Sequence, residues 1–248
     1  GPVAQISSIR AGDDPTPLTG YPMTDSRSRF LQEIFKGTNR TDPPSQVLFY
    51  RPAASGSAEA SATVAPLTVT ARYPGARGND ISVIVTELTD PADTFTVQTL
   101  VSGSVVDTQT AETADELTEN DWVAFSGTGA LAATAGTPLT GGADGTVAAT
   151  AYDSFLAALE PYAFDVLIYD GADASVKTAM AAFVERLAND AGQYGQLVTS
   201  GMTAPDSRFV IDCESGVTLE DGTALTPGQV CWWLGGAMAG AQYNESLT

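Results

Sequence analysis

Apolar and polar positions repeat with two different periods along this chain, and the switch between them divides it. Val3 to Ile9 (VAQISSI) alternates with a period of two and reads as a strand. A loop rich in Pro, Gly and Asp follows (AGDDPTPLTGYPM). Thr24-Asp25-Ser26 then offers an N-cap, and Phe30, Leu31, Ile34 and Phe35 supply a helical apolar face that stops at Gly37. Val47 to Tyr50 (VLFY) is a short buried strand, so this part predicts a β-α-β unit with parallel pairing. From about Ala58 to Gly145 the pattern is β only. Leu67, Val69 and Ala71 alternate with threonines. Ile81, Val83 and Val85 form a second alternating run, and TFTVQTLV, SVVDTQT, DWVAFSG and GTGALAATAGTPL follow between Pro, Gly or Asp turns. Ala114 to Asn120 reads as a single helical turn. Short strands with turn signals and no long helix predict a small sandwich or barrel.

Helical periodicity returns after Gly145. Tyr152, Phe155, Leu156 and Leu159 share one face of a helix ending at Pro161, and Phe164 to Tyr169 (FDVLIY) is a buried strand. Val176, Met180, Phe183, Val184 and Leu187 mark an amphipathic helix closed near Gly192. Gln196 to Thr199 and Arg208 to Cys213 read as strands. Gln229 to Tyr243 is an apolar helix whose Ala and Gly content requires a close packing partner. The fold class is therefore α/β (α+β) in two domains: an α/β sandwich over 1–57 and 147–248, interrupted by an all-β sandwich or barrel over 58–146. The Ala/Ser-rich spacer AASGSAEASAT and the Gly-rich LTGGADG turn are the expected crossing points.

Composition narrows the function. Hydrophobic content of 43% supports a core, and no run approaches the roughly 18 apolar residues of a membrane span. Gly1-Pro2-Val3 has no basic segment of the kind that opens a signal peptide. The net charge is −19, and no Lys or Arg occurs between Gly78 and Val176. A field of that sign repels nucleic acid and anionic membranes, so neither is an expected partner. There is no histidine, which removes the commonest general base and metal ligand. Cys213 and Cys231 are too few for a zinc site and lack redox spacing; both read as buried free thiols.

No residue earns a catalytic, cofactor-binding or metal-binding assignment, and each candidate has a structural reading. Gly75 and Gly78 lead into a β-branched strand without a following Lys-Ser/Thr, so they serve a turn rather than a phosphate cradle. Asp170 and Asp173, after the FDVLIY strand, are spaced one residue too far apart for a phosphotransferase pair, and Asp173 suits a helix N-terminus. Thr199-Ser200-Gly201 is not a nucleophile elbow. Asp212, Glu214, Glu220 and Asp221 lack EF-hand spacing and read as turn carboxylates. Trp122 reads as core. Of the adjacent Trp232 and Trp233, one is expected inside and the other at a domain or subunit surface.

Three short motifs carry a family resemblance. The loop Ala71-Arg72-Tyr73-Pro74-Gly75-Ala76-Arg77-Gly78-Asn79-Asp80-Ile81, the turn Leu139-Thr140-Gly141-Gly142-Ala143-Asp144-Gly145, and the run Ala237, Gly240, Ala241, Asn244, Ser246, Thr248 occur in that order. Together they resemble the tail sheath proteins of contractile bacteriophages. The resemblance implies a structural subunit rather than an enzyme, with no cofactor, in a β-rich domain plugged into an α/β sandwich. It implies hexameric rings around an inner tail tube, triggered by a baseplate, that contract to drive the tube through the host envelope. The implied partners are other sheath subunits, the tube protein and the baseplate. The implied location is the virion tail, with assembly in the host cytoplasm. The family's N-terminal arm and C-terminal domain are absent from this stretch, and the resemblance places subunit strand exchange there. Residues 1–248 are thus expected to be outward-facing and monomeric or weakly associating. A related injection-system or bacteriocin sheath is the near alternative. A carbohydrate-binding module, or a metal-dependent hydrolase using Asp170 and Asp212, remains open from other classes.

Overall fold

The computed structural model describes residues 1–203 and 206–241. The end of the third motif, Asn244 to Thr248, lies outside the described residues, as does the expected helix end at Tyr243. In chain order the elements are β1 (Ile6–Arg10), α1 (Thr16–Thr19), α2 (Arg29–Ile34), β2 (Gln46–Tyr50), β3 (Ser61–Val64), β4 (Leu67–Ala71), β5 (Ile81–Glu87), β6 (Phe95–Val101), β7 (Ser104–Ala111), β8 (Val123–Ser126) and β9 (Thr134–Pro138). They continue with α3 (Ala151–Leu159), β10 (Val166–Ile168), α4 (Ala174–Arg186), β11 (Gln196–Thr199), β12 (Val210–Asp212), β13 (Val217–Thr218), β14 (Ala224–Leu225) and α5 (Pro227–Gly240). The chain divides into two compact units, one of Ala53–Ala148 with Gly1, the other of Pro2–Pro52 and Ala149–Thr248. This is a mixed α/β and all-β architecture, the fold class the periodicities predict.

In the α/β unit, β10, β11 and β12 form a parallel sheet in that order. Alternate side chains go to opposite faces. Leu167, Leu197 and Val210 pack with Val176, Met180, Phe183 and Val184 of α4. Val166, Ile168, Val198 and Ile211 pack with Cys231, Leu234 and Met238 of α5. A parallel strand covered on both faces needs apolar residues on both, which is why FDVLIY is a continuous apolar run. Asp173 caps α4 by accepting from the Ser175 and Val176 backbone N–H groups. Gly192, at φ 70°, closes the π-helical turn Leu187–Ala191 that extends α4. Thr226 and Gln229 form a capping box at the start of α5.

The expected parallel pairing of the first two strands is not what forms. β1 and β2 run antiparallel, with Ile6 opposite Tyr50 and Arg10 opposite Gln46. Between them lie α1, a 3-10 turn over Ser26–Ser28 and α2, which continues it to Ile34. The chain then turns back against β1 rather than crossing over a sheet. The strand also starts at Ile6 rather than Val3, because Ala4 has φ 57°.

The two tryptophans of α5 do not divide as expected either. Both are half-buried and both indole N–H groups are bonded within this unit: Trp232 Nε1 to Asp170 Oδ2 at 3.0 Å, Trp233 Nε1 to the Gly37 carbonyl at 3.0 Å. An indole is large enough to lay its edge along a neighbouring element and still show some surface. The Ala/Gly content of α5 has specific causes. A Cβ at Gly236 would run into the backbone carbonyl of Ile34, and one at Gly240 into that of Asp42. Their i, i+4 spacing puts both glycines on one face, against α2 and the loop after it.

The β unit holds two antiparallel sheets, β3-β4-β8 and β7-β6-β5-β9. Leu67, Val69, Ala71 and Val123 from the first share a core with Ile81, Val83, Val85, Phe95, Val97 and Val101 from the second. Each large apolar side chain removed from water there contributes roughly 1.5–3 kcal/mol before entropy is counted. The buried Thr99 hydroxyl is satisfied by Asn120, whose Nδ2 donates to Thr99 Oγ1 (3.2 Å) and Asp107 Oδ2 (3.0 Å). Asn120 Oδ1 in turn accepts from the backbone N–H groups of Trp122 and Val123, both at 2.9 Å. Entry and exit of the unit are laddered together by bridges between Ser55 and Thr146, Ala58 and Ala143, and Ser61 and Thr140.

Candidate functional site

Two regions hold the residues singled out by sequence, and both are built inward. In the β unit the Tyr73–Asp80 loop begins at Gly75, whose φ of 140° is open to glycine, and then makes a short 3-10 turn over Ala76–Asp80. Gly75 N donates to the Ala58 carbonyl (2.9 Å) and Gly78 N to the Gly75 carbonyl (3.0 Å). Gly78 is buried against the Ala60 and Ala71 methyls, where a Cβ would fall 2.8 Å and 3.1 Å from them. Arg77 Nη1 reaches Asp80 Oδ2 (2.7 Å) and Ser102 Oγ (2.9 Å).

The second motif closes onto the first. Asn79 Nδ2 donates to the Gly142 carbonyl and Asn79 Oδ1 accepts from Gly142 N, both at 2.9 Å. Ala76 N donates to Asp144 Oδ1 at 2.8 Å. Gly142 must be small because the Gly75 carbonyl lies where its Cβ would go. The two motifs are thus halves of one structural knot, in which side-chain amide and carboxylate groups take up backbone N–H and C=O groups that the turn leaves unpaired. Substituting Asn79 by Ala removes both bonds to Gly142. At this exposed position the expected loss is about 1–2 kcal/mol of unfolding free energy, measured by urea denaturation.

In the α/β unit the C-terminal ends of β10, β11 and β12 border an open cleft of about 560 Å³ that includes Asp170, Lys177, Ser200, Asp212 and Glu214. Asp170 and Asp212 have structural partners. Asp170 accepts from Trp232, and Asp212 Oδ1 accepts from Met202 N at 3.2 Å. Asp173 takes the Ser175 hydroxyl (2.6 Å) and backbone N–H (2.8 Å), and these bonds, with that from Val176, hold its carboxyl below the usual range. Lys177 is buried, and its ammonium donates to the Ser200 carbonyl. Asp221, in the β13–β14 hairpin turn, is lowered by the Thr223 backbone N–H first and lies 3.4 Å from Arg29. Among the described residues no three His, Cys, Asp or Glu side chains are grouped to hold a metal ion. Cys213 and Cys231 are free and buried, and the hydrogen bond between them together with burial pushes the Cys231 thiol up. The cleft lies where α/β sheets usually bind ligands, but two of its carboxylates, Asp170 and Asp212, fix a tryptophan and a loop.

The chain matches two family models that adjoin: the phage tail sheath protein beta-sandwich domain over residues 55–144, and the phage tail sheath protein central domain over residues 145–248. Among curated proteins it is 35% identical to the phage-like element PBSX protein XkdK of Bacillus subtilis and 34% identical to YqbK of the same organism. Each alignment covers 100% of this chain and 56% of the relative, so the chain spans little more than half their length. Among solved structures, it superposes on the sheath tail protein of Desulfitobacterium hafniense with a TM-score of 0.92 at 42% identity, over 100% of this chain and 58% of that one. The sheath tail protein of Listeria innocua gives a TM-score of 0.82 at 32% identity, over 97% and 54%. With two adjoining models of the family matched over residues 55–248, and a sheath tail protein structure matched over the whole chain, the chain belongs to the phage tail sheath protein family.

Proposed function

We propose that this chain is the β-sandwich and central part of a contractile tail sheath subunit, a structural polymer component rather than an enzyme. The observation that carries the reading is the pair of adjoining sheath-family matches running from residue 55 to residue 248. In this reading subunits assemble as stacked hexameric rings around an inner tail tube. A baseplate signal releases them from an extended lattice, and the rings rearrange into a shorter, wider one that drives the tube forward. Rigid domains exchange one set of contacts for a lower-energy set, a bistable lattice that needs no cofactor or nucleotide. The geometry supports a scaffold: the Asn79 amide and Asp144 carboxylate of the motif loops, and Asp212 at the strand ends, are engaged with the protein's own backbone. The finished polymer belongs to the virion tail, after assembly in the bacterial cytoplasm. The subunit's partners are its own copies, the tube protein and the baseplate.

Electron microscopy tests this. The full-length product of the gene is expected to form rings or tubes, while residues 1–248 alone stay dispersed. A full-length product that stays monomeric at high concentration would sink the reading.

A further inference from the structure

Two strand edges in the α/β unit face one cavity, and neither has a strand partner on that side among the described residues. β10 is the end strand of the parallel sheet. The Asp165 carbonyl accepts from Gln196 N (2.9 Å) and Tyr169 N donates to the Val198 carbonyl (3.0 Å), so these groups point toward β11. Strand alternation then turns the backbone N–H and C=O groups of Val166 and Ile168 the other way. β2 pairs with β1 alone. Both β2 and β10 line a cavity of about 630 Å³. The space opens to the surface and is large enough to take a short chain segment.

The layering of side chains is the same on both sides of that space. On β10, Val166 and Ile168 pack toward α5, and Leu167 and Tyr169 belong to the core built with α3 and α4. On β2, Tyr50 meets Phe155 of α3 at 5.0 Å between ring centroids, and Leu48 packs with the same core. Phe49 stacks on Phe30 at 6.0 Å, and Phe30 meets Trp232 of α5 at 6.4 Å. β2 therefore stands in the layer of the parallel sheet, between the same two helical covers, yet is not hydrogen-bonded to it.

We propose that this groove is the seat of a further β-strand of the same polypeptide, supplied from outside residues 1–248. Inserted between β2 and β10, it would join the two sheets into one. The covers on both faces dictate its chemistry: an extended segment of about five residues, apolar on both faces, as buried strands are. Its backbone would bond Val166 and Ile168 on one side and β2 on the other. The curated relatives carry more than two fifths of their length outside the match, which gives such a strand a source. Attachment to the same chain favours filling by effective concentration over capture of a free strand. The proposal concerns the fold of one subunit and does not depend on contraction or ring formation.

Amide hydrogen exchange followed by NMR tests it. In residues 1–248 the Val166 and Ile168 amides are expected to exchange at least about tenfold faster than those of Leu167 and Tyr169. In the full-length product, kept dispersed below the concentration at which it assembles, they become as protected as their neighbours. Val166→Pro deletes the donor that faces the groove together with part of the Val166 packing against α5, so residues 1–248 should lose some melting temperature and the full-length product several degrees more. Leu167→Pro, which breaks the bonds to β11, should unfold both and serves as the control. The proposal is overturned if Val166 and Ile168 are already protected in residues 1–248, or if Val166→Pro costs the full-length product no more than it costs residues 1–248. Protection that appears only as the concentration of residues 1–248 is raised would make a second copy the occupant and overturn the same-chain source.

Discussion

Gly236→Ala is expected to lower the unfolding free energy by about 3 kcal/mol or more, against the usual direction for a helix. In an unstrained helix interior the same change gains roughly 1 kcal/mol, because alanine loses less backbone entropy. Here the added methyl would meet the carbonyl, carbon and Cα of Ile34. Those are backbone atoms of α2 and cannot swing aside, so α5 must move away and give up its packing against α2. Overpacking of this kind commonly costs 1–3 kcal/mol where side chains can adjust, and more where the backbone must shift. Gly235→Ala is the comparator. Its new methyl would meet the Ile168 side chain, 2.5 Å from Cγ1, so re-rotation of that side chain absorbs part of the conflict and a milder loss of about 1–2 kcal/mol is expected. Urea denaturation followed by fluorescence of Trp232 and Trp233, both on α5, reads the difference. Equal stability of Gly236→Ala and the parent would show that α5 does not sit against α2 as described.

The second large effect is expected at Asn120, in the β unit. Asn120→Asp keeps the two acceptor bonds to the Trp122 and Val123 N–H groups but deletes the donors to Thr99 and Asp107. Thr99 is fully buried, so its hydroxyl loses a partner without gaining water. The new carboxylate would also stand against that of Asp107, where the amide lies 3.0 Å away. Together these should cost about 3 kcal/mol at neutral pH. The sign of the pH dependence follows. Two like charges in contact raise the folded-state pKa of the pair above the unfolded carboxylate value of about 3.9. The repulsive part of the loss is therefore fully present above that raised value and is relieved as the pH falls through it. The lost donor to Thr99 is not recovered by acid in the same way. A stability deficit that does not narrow between pH 7 and pH 4 would count against the Asp107 contact.

Much of the architecture was legible because periodicity reports burial directly. The apolar-on-both-faces run at Phe164–Tyr169, the alternation at Leu67–Ala71 and Ile81–Val85, and the 3.6-residue spacing from Val176 to Leu187 all follow from which faces are covered. Pairing direction was not legible. The β1–β2 spacing fits a crossover, and only the register of β1 against β2 shows that the chain doubles back. The Ala/Gly richness of α5 signalled a close neighbour without naming it, since the clashing atoms at Ile34 and Asp42 belong to backbone that any sequence would supply. The tryptophans misled because helix geometry sends adjacent residues in different directions but does not say that both directions are occupied by the same unit. For the motif region, residue types and spacing were readable, and turn chemistry accounts for Pro74, Gly75 and Asn79 locally. That Asn79 and Gly142 clasp each other across 63 residues could not be read from either motif alone.

The ladder of bridges at Ser55–Thr146, Ala58–Ala143 and Ser61–Thr140 has a consequence for how such proteins can change. Paired residues in an antiparallel bridge sit about 5 Å apart, so the chain leaves the β unit almost where it entered it. To whatever is attached at that stem, an excursion of roughly 90 residues presents the same two neighbouring ends as a tight turn, and the closure entropy of so long a loop grows only slowly with its length. Strands can then be added, lost or exchanged wholesale beyond the stem without altering the geometry at its base. The stem works as a socket, and variation in the size and surface of what it carries is open to lineages that keep everything on the other side of it fixed.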